Sequence, residues 1–181
     1  MILSLLASPL WALDKRSEWI KIDHFKNCHK YLSKESASCI SKSIEKWSKK
    51  YKIDPDWMTG LYSVESHFDT NSTDGRDSWG IPQLQTNTAQ LVVDKWKQAY
   101  KVTPEELKRC SGLAIRISCC NFRALLVEFG GDYVKATRAY NAGSTNVKRG
   151  HFLGRRPCVP GMNYCSKVLK AYWQYEIFKL R

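Results

Sequence analysis

The sequence predicts a mainly α domain with at most one short β-hairpin. Apolar residues recur at three- and four-residue spacings along most of the chain, the period of one helix face. Helix-start signals stand where those stripes begin, with proline in the first helical position in "DPDW" and "TPEEL". No segment alternates apolar and polar residues over a strand's length, and only the loop 69–83 has room for a short pair.

The elements follow in order. Residues 1–13, "MILSLLASPLWAL", are a short apolar run with small residues at Ala7 and Ala12. They resemble the apolar core and cleavage end of an export signal, lack a basic start, and are too short to span a membrane. Residues 14–35 read as a basic N-terminal extension, and 36–181 as the folded domain. Ser36 to Tyr51 places Ile40, Ile44, Trp47 and Tyr51 on one stripe. Asp54 is a fitting N-cap for a helix from Pro55 whose apolar face holds Trp57, Leu61 and Val64. Thr88 to Tyr100 is the next helix, and Thr103 with Glu106 forms a capping box around Pro104. Ile115 to Phe129 is apolar over much of its surface and reads as the central helix, stopped by Gly130 and Gly131. Asp132–Tyr140 and Asn163–Leu180 complete the set.

The formal net charge is +12, from 29 Lys and Arg against 17 Asp and Glu. That excess favours an anionic partner. No basic run interleaved with aromatics marks a nucleic-acid groove, so the expected partners exclude nucleic acid and a stable membrane span. Seven cysteines stand at 28, 39, 110, 119, 120, 158 and 165. In an exported protein some would pair, with Cys28–Cys39 and Cys158–Cys165 as the local choices. Cys119 and Cys120 are neighbours on a helix and point about 100° apart. There is no C-x-x-C, and the sequence assigns no cofactor and no metal, although His24, Cys28 and His29 form a conceivable ligand set.

One glutamate stands out. On the helix from Pro55, Glu65 lies about 40° from Leu61 and about 80° from Trp57, on the shoulder of the buried face. A carboxyl group there loses solvation, which raises its pKa toward that of a general acid working near neutral pH.

The surroundings of Glu65 carry a resemblance. "ESHF" at 65–68, "GIPQLQTNTA" at 80–89, "RAYNAG" at 138–143 and Tyr164 with Val168 resemble the lytic transglycosylases, lysozyme-like enzymes that cut peptidoglycan glycan strands. Gly80 and Gln83 stand fifteen and eighteen residues after Glu65, as in that family. The resemblance implies an α+β lysozyme-like fold with a substrate cleft. It also implies Glu65 as the catalytic acid and later the base, and Ser66 as the residue that tightens the end of the catalytic helix. Gln83 would line the sugar cleft, Tyr140 and Asn141 would form its floor and contact substrate, and Tyr164 would hold the catalytic carboxylate. The implied partner is peptidoglycan, met in the periplasm or outside the cell. Small members of the family often serve a secretion, conjugation or phage apparatus. Pro82 departs from the pattern, standing where the family usually has methionine.

Asp74 departs as well, since the family commonly has serine there. Goose-type lysozymes, which are hydrolytic relatives, carry an aspartate six residues before the cleft glycine, as Asp74 precedes Gly80. They also carry an acidic residue where this chain has the neutral Gln85. Ordinary glycoside hydrolysis needs two carboxyl groups. The transglycosylase reaction needs one, because the muramic acid C6 hydroxyl closes onto C1 as a 1,6-anhydro ring. Three readings therefore stand in order: a transglycosylase working with Glu65 alone, a lysozyme in which Asp74 activates water, and a peptidoglycan-binding module without turnover. Asp77 fits neither pattern and reads as a turn residue.

Overall fold

The computed structural model describes residues 10–96, 100–109, 111–149 and 164–181. The helices among them are α1 (Leu10–Cys28), α2 (Lys34–Lys50), α3 (Pro55–Ser66), α4 (Thr86–Asp94), α5 (Pro104–Arg109), α6 (Ser111–Glu128), α7 (Tyr133–Ala142), α8 (Ser144–Lys148) and α9 (Tyr164–Lys179). A two-stranded antiparallel sheet, β1 (Ser78–Trp79) and β2 (Leu84–Gln85), pairs Ser78 with Gln85 and Trp79 with Leu84. Strand β1 lies within the loop 69–83, which also forms a bridge from Thr73 to Trp79, and β2 follows directly after it.

Local signals place most of the helix starts. Ser33 caps α2 by accepting from the Ser36 amide, and Asp54 caps α3 by accepting from the Asp56 amide. Thr103 and Glu106 close the capping box at α5 through bonds of 3.0–3.3 Å. Helix α4 departs from the reading. It starts at Thr86 and stops at Asp94, because the Gln90 side chain turns the chain back, donating to the Tyr100 carbonyl and accepting from the Val102 amide.

Two apolar clusters share α6. The larger joins Ile40 and Ile44 of α2, Met58, Leu61 and Tyr62 of α3, Cys119 and Phe122 of α6, and Val168 of α9. The smaller joins Leu84, Val92, Val93, Val102 and Leu107 to Ala114 and Ile117 on another face of α6. A cleft runs along one side of the molecule and draws its walls from both groups. Helices α3 and α9 touch backbone to backbone at Gly60, where an added Cβ would lie 2.8 Å from the Tyr172 amide nitrogen.

Helix α1 lies where the sequence reads as an apolar leader followed by a basic extension. It packs on α2, α3 and α9. Its Arg16 is almost fully buried, donating to Glu45 of α2 at 2.7 Å and to Asp56 of α3 at 2.8 Å. Lys179 of α9 reaches Asp56 at 2.5 Å. A buried cation is tolerated only with such partners, and removing one of them would strand the other charges.

The expected Cys28–Cys39 pair is corrected. Both are free thiols: Cys28 closes α1 with its Sγ 3.9 Å from the Ser66 carbonyl, whereas Cys39 is exposed on α2. Cys165 is likewise a free, buried thiol, and Cys158 lies outside the described residues. Cys119 is buried and Cys120 only partly so, as their angular separation requires. Among the described residues no three His, Cys, Asp or Glu side chains come together as a metal site, and no helix is long and apolar enough to cross a membrane.

Candidate active site

Glu65 is in the last turn of α3, where the apolar face ends and the helix runs out beside the cleft. The next residue, Ser66, points the other way and donates from Oγ to the Ile81 carbonyl at 2.8 Å. That bond ties the helix end to the loop carrying Gly80 and Gln83. The carboxyl of Glu65 accepts a short hydrogen bond from the Tyr164 hydroxyl at the start of α9. Burial is the larger influence on it and pushes its pKa up to about 7, against the smaller lowering effect of the Tyr164 bond. The Tyr164 phenol is itself pushed well above 10 by burial and by the facing carboxylate, so it stays a donor.

The cleft holds about 630 Å³ and is lined by Glu65, Asp74, Gln83, Tyr140 and Asn141 together with Ser78, Gln85, Thr88, Leu91, Asn121, Leu125 and Ser144. A family model described as a transglycosylase SLT domain matches residues 42–151, which span the helix of Glu65, the hairpin and α7. The chain belongs to the transglycosylase SLT domain family. Three solved structures are similar in fold. The lytic transglycosylase Slt of Pseudomonas aeruginosa, an inactive mutant, matches with a TM-score of 0.64 and 20% identity over 75% of this chain and 24% of its own. The 70 kDa soluble lytic transglycosylase of Escherichia coli matches with a TM-score of 0.70 and 16% identity over 93% of this chain and 30% of its own. A 70 kDa soluble lytic transglycosylase in complex with bulgecin A matches with a TM-score of 0.68 and 16% identity, again over 93% and 30%. This chain thus spans less than a third of the length of those enzymes.

In this SLT domain, Tyr140 is a wall whose hydroxyl is already engaged. Its O–H donates to the Pro82 carbonyl at 2.8 Å, and it shares a 2.9 Å bond with Ser118. Ser118 in turn accepts from the buried Tyr62 hydroxyl at 3.0 Å. One consistent chain of donation runs from Tyr62 to Ser118, from Ser118 to Tyr140, and from Tyr140 to the accepting Pro82 carbonyl. Tyr140 thus lines the cleft while its hydroxyl braces the loop before Gln83. Sequence reasoning missed Tyr62 and Ser118, because each looks like an ordinary core position on its own helix.

Gln83 adopts a left-handed backbone, φ +48, and its amide nitrogen donates to the Gly80 carbonyl at 2.9 Å. Only glycine fits at position 80. Its φ is +68, and a Cβ there would lie 2.5 Å from the Leu107 carbonyl oxygen. Asn141 is exposed on the cleft edge. Asn121 of α6 also lines the cleft, and no signal in the sequence separates it from the other polar residues of that helix. Leu91, largely exposed, offers the cleft an apolar surface.

Asp74 shares the cleft with Glu65 but is exposed. Its Oδ1 accepts from the Arg76 amide at 2.9 Å and the Ser78 amide at 3.0 Å. Those backbone donors, Arg76 first, hold its pKa below the ordinary carboxylate value. Asp77 does more than turn the chain. Its Oδ1 accepts from the Thr86 hydroxyl at 2.8 Å and from the Trp79 indole at 3.2 Å. It thereby joins the hairpin to the start of α4, whose own N-cap residue, Gln85, supplies no side-chain bond.

Proposed function

We propose that this protein is a peptidoglycan lytic transglycosylase that cleaves the β-1,4 bond between N-acetylmuramic acid and N-acetylglucosamine. Glu65 donates its proton to the bridging oxygen as the C1–O bond breaks. The resulting carboxylate takes the proton of the C6 hydroxyl as that oxygen closes onto C1, leaving a 1,6-anhydro-muramic acid end and the regenerated acid. No water is consumed. The observation that carries this reading is a single desolvated carboxyl, with a pKa near 7 and held by Tyr164, on a cleft of glycan-accommodating size. A group with that pKa serves as acid and as base at the same pH.

The second reading, hydrolysis with Asp74 as the base for water, draws on the presence of Asp74 on the same cleft. Its lowered pKa makes it a weaker base than Glu65. The third is a binding module without turnover. The protein would act outside the cytoplasm, with peptidoglycan as its partner. The net charge of +12 suits an anionic wall polymer, so wall binding is expected to weaken as salt rises.

Mass spectrometry of the muropeptides released from purified peptidoglycan tests the proposal, with Glu65→Gln as control. Anhydro-muramic ends that vanish in the control are the expected result. Free reducing ends would move the assignment to hydrolysis, and no Glu65-dependent product would leave the binding module.

A further inference from the structure

The chain leaves the helix of Glu65 through two consecutive left-handed residues, His67 at φ +50 and Phe68 at φ +63. Neither is glycine. Side-chain-bearing residues rarely adopt that region, and the conformation persists only where its surroundings hold it. Phe68 is held by complete burial. His67 is held by α1. The imidazole of His24 lies 2.9 Å from the His67 carbonyl through Nδ1; a carbonyl only accepts, so His24 donates from that nitrogen. The Nδ1 of His67 faces Oδ2 of Asp23 at 3.2 Å. Asp23 and His24 are 8% and 4% exposed, and Asn27 secures Asp23 further by donating to its carboxylate and carbonyl. On the other side of the same turn, Ser66 reaches the Ile81 carbonyl.

The two residues after Glu65 are thus gripped from the cleft loop on one side and from α1 on the other. Helix α1 lies wholly outside the residues matched by the family model, 42–151. It is anchored separately at its other end by Arg16. We infer that Asp23 and His24 are positioning residues for Glu65, acting through His67 to keep the last turn of α3 from fraying. The inference rests on Glu65 being the catalytic acid. Its physical content is mechanical: the carboxyl must stay against Tyr164 and in register with the bridging oxygen, and helix ends loosen unless capped and packed.

The test is steady-state kinetics on the full chain with a soluble glycan substrate, alongside thermal melts. Asp23→Ala is expected to lower kcat about tenfold with KM within about twofold, because misplacing a catalytic group costs rate rather than binding. Asp23→Asn keeps an oxygen that can accept from His67, and it should restore most of the lost kcat. Ile20→Val trims a buried α1 residue away from the turn; it should lower the melting temperature and leave kcat unchanged. His67→Asn covers the case in which Asp23→Ala does not fold, since asparagine tolerates the left-handed backbone; it should reproduce the fall in kcat. Unchanged kcat in whichever of Asp23→Ala and His67→Asn folds, or an equal fall in Ile20→Val, would overturn the inference. A wild-type chain with no Glu65-dependent product would instead overturn the proposed function, so the two failures are distinguishable.

Discussion

Glu65 and Asp74 line one cleft with the same chemical group and are held in opposite ways. Glu65 ends a helix in the main cluster, where burial has removed water and a single phenol replaces part of it. Asp74 sits on an exposed loop, where two backbone amides add to its solvation. The pKa of the first rises to about 7, and that of the second falls below the carboxylate norm. What replaces water around a carboxyl thus decides whether it is a proton donor or a fixed anion.

The largest effect should come from removing the two carboxylates in turn. Glu65→Gln is expected to lower kcat by about 10²–10⁴-fold, the range for a general acid. Asp74→Asn should change it by less than about threefold if the loop contacts are its whole role. A comparable loss in both variants, measured by release of reducing or anhydro ends, would break the contrast.

Next in size is Tyr164→Phe, expected to cost about tenfold in kcat through misplacement of the carboxyl. The Tyr164 bond lowers the pKa of Glu65, so its loss should raise that pKa. The alkaline limb of the pH–rate profile should then move upward, and a downward move would mean that the phenol stabilises the neutral acid instead.

The same residue leaves a thermodynamic mark. The folded pKa of Glu65, about 7, lies above its unfolded value of 4.5, so the folded state holds the proton more tightly. The penalty for this carboxyl is absent below pH 4.5, grows as pH rises, and is complete above pH 7. Glu65→Gln should therefore be neutral toward stability at pH 4 and stabilising at pH 8 by roughly 1–3 kcal/mol. Urea melts at both pH values measure it. Asp74→Asn gives the smallest effect: faster amide exchange at Arg76 and Ser78, whose N–H groups lose a charged acceptor.

Much of the fold was legible because its signals are local. Asp54, Pro55, Thr103 and Glu106 act within one helical turn, and the stripe of Ile40 and Ile44 repeats within a few residues. Glu65 was legible on the shoulder of its stripe, and the resemblance carried by the motifs around Gly80, Gln83 and Tyr140 implied its surroundings. Helix α1 was not. Its buried face includes Arg16, Ser17, Asp23 and His24, polar side chains that hide its periodicity; Arg16 is paired by α2 and α3, and Asp23 and His24 meet the turn at His67. The role of Tyr140 was half legible, since its place in the motif was plain but its bond to the Pro82 carbonyl joins residues 58 positions apart.

By itself the sequence determined most of the helices from α2 onward and several of their caps, which follow from spacing and propensity along the chain, and its motifs singled out Glu65 through a family resemblance. Only the tertiary structure decided how far Glu65 is desolvated, that Asp74 is bound to its own loop, and that α1 closes on the turn after Glu65. A pKa and a clamp depend on groups distant in sequence, and desolvation exists only once those groups have packed.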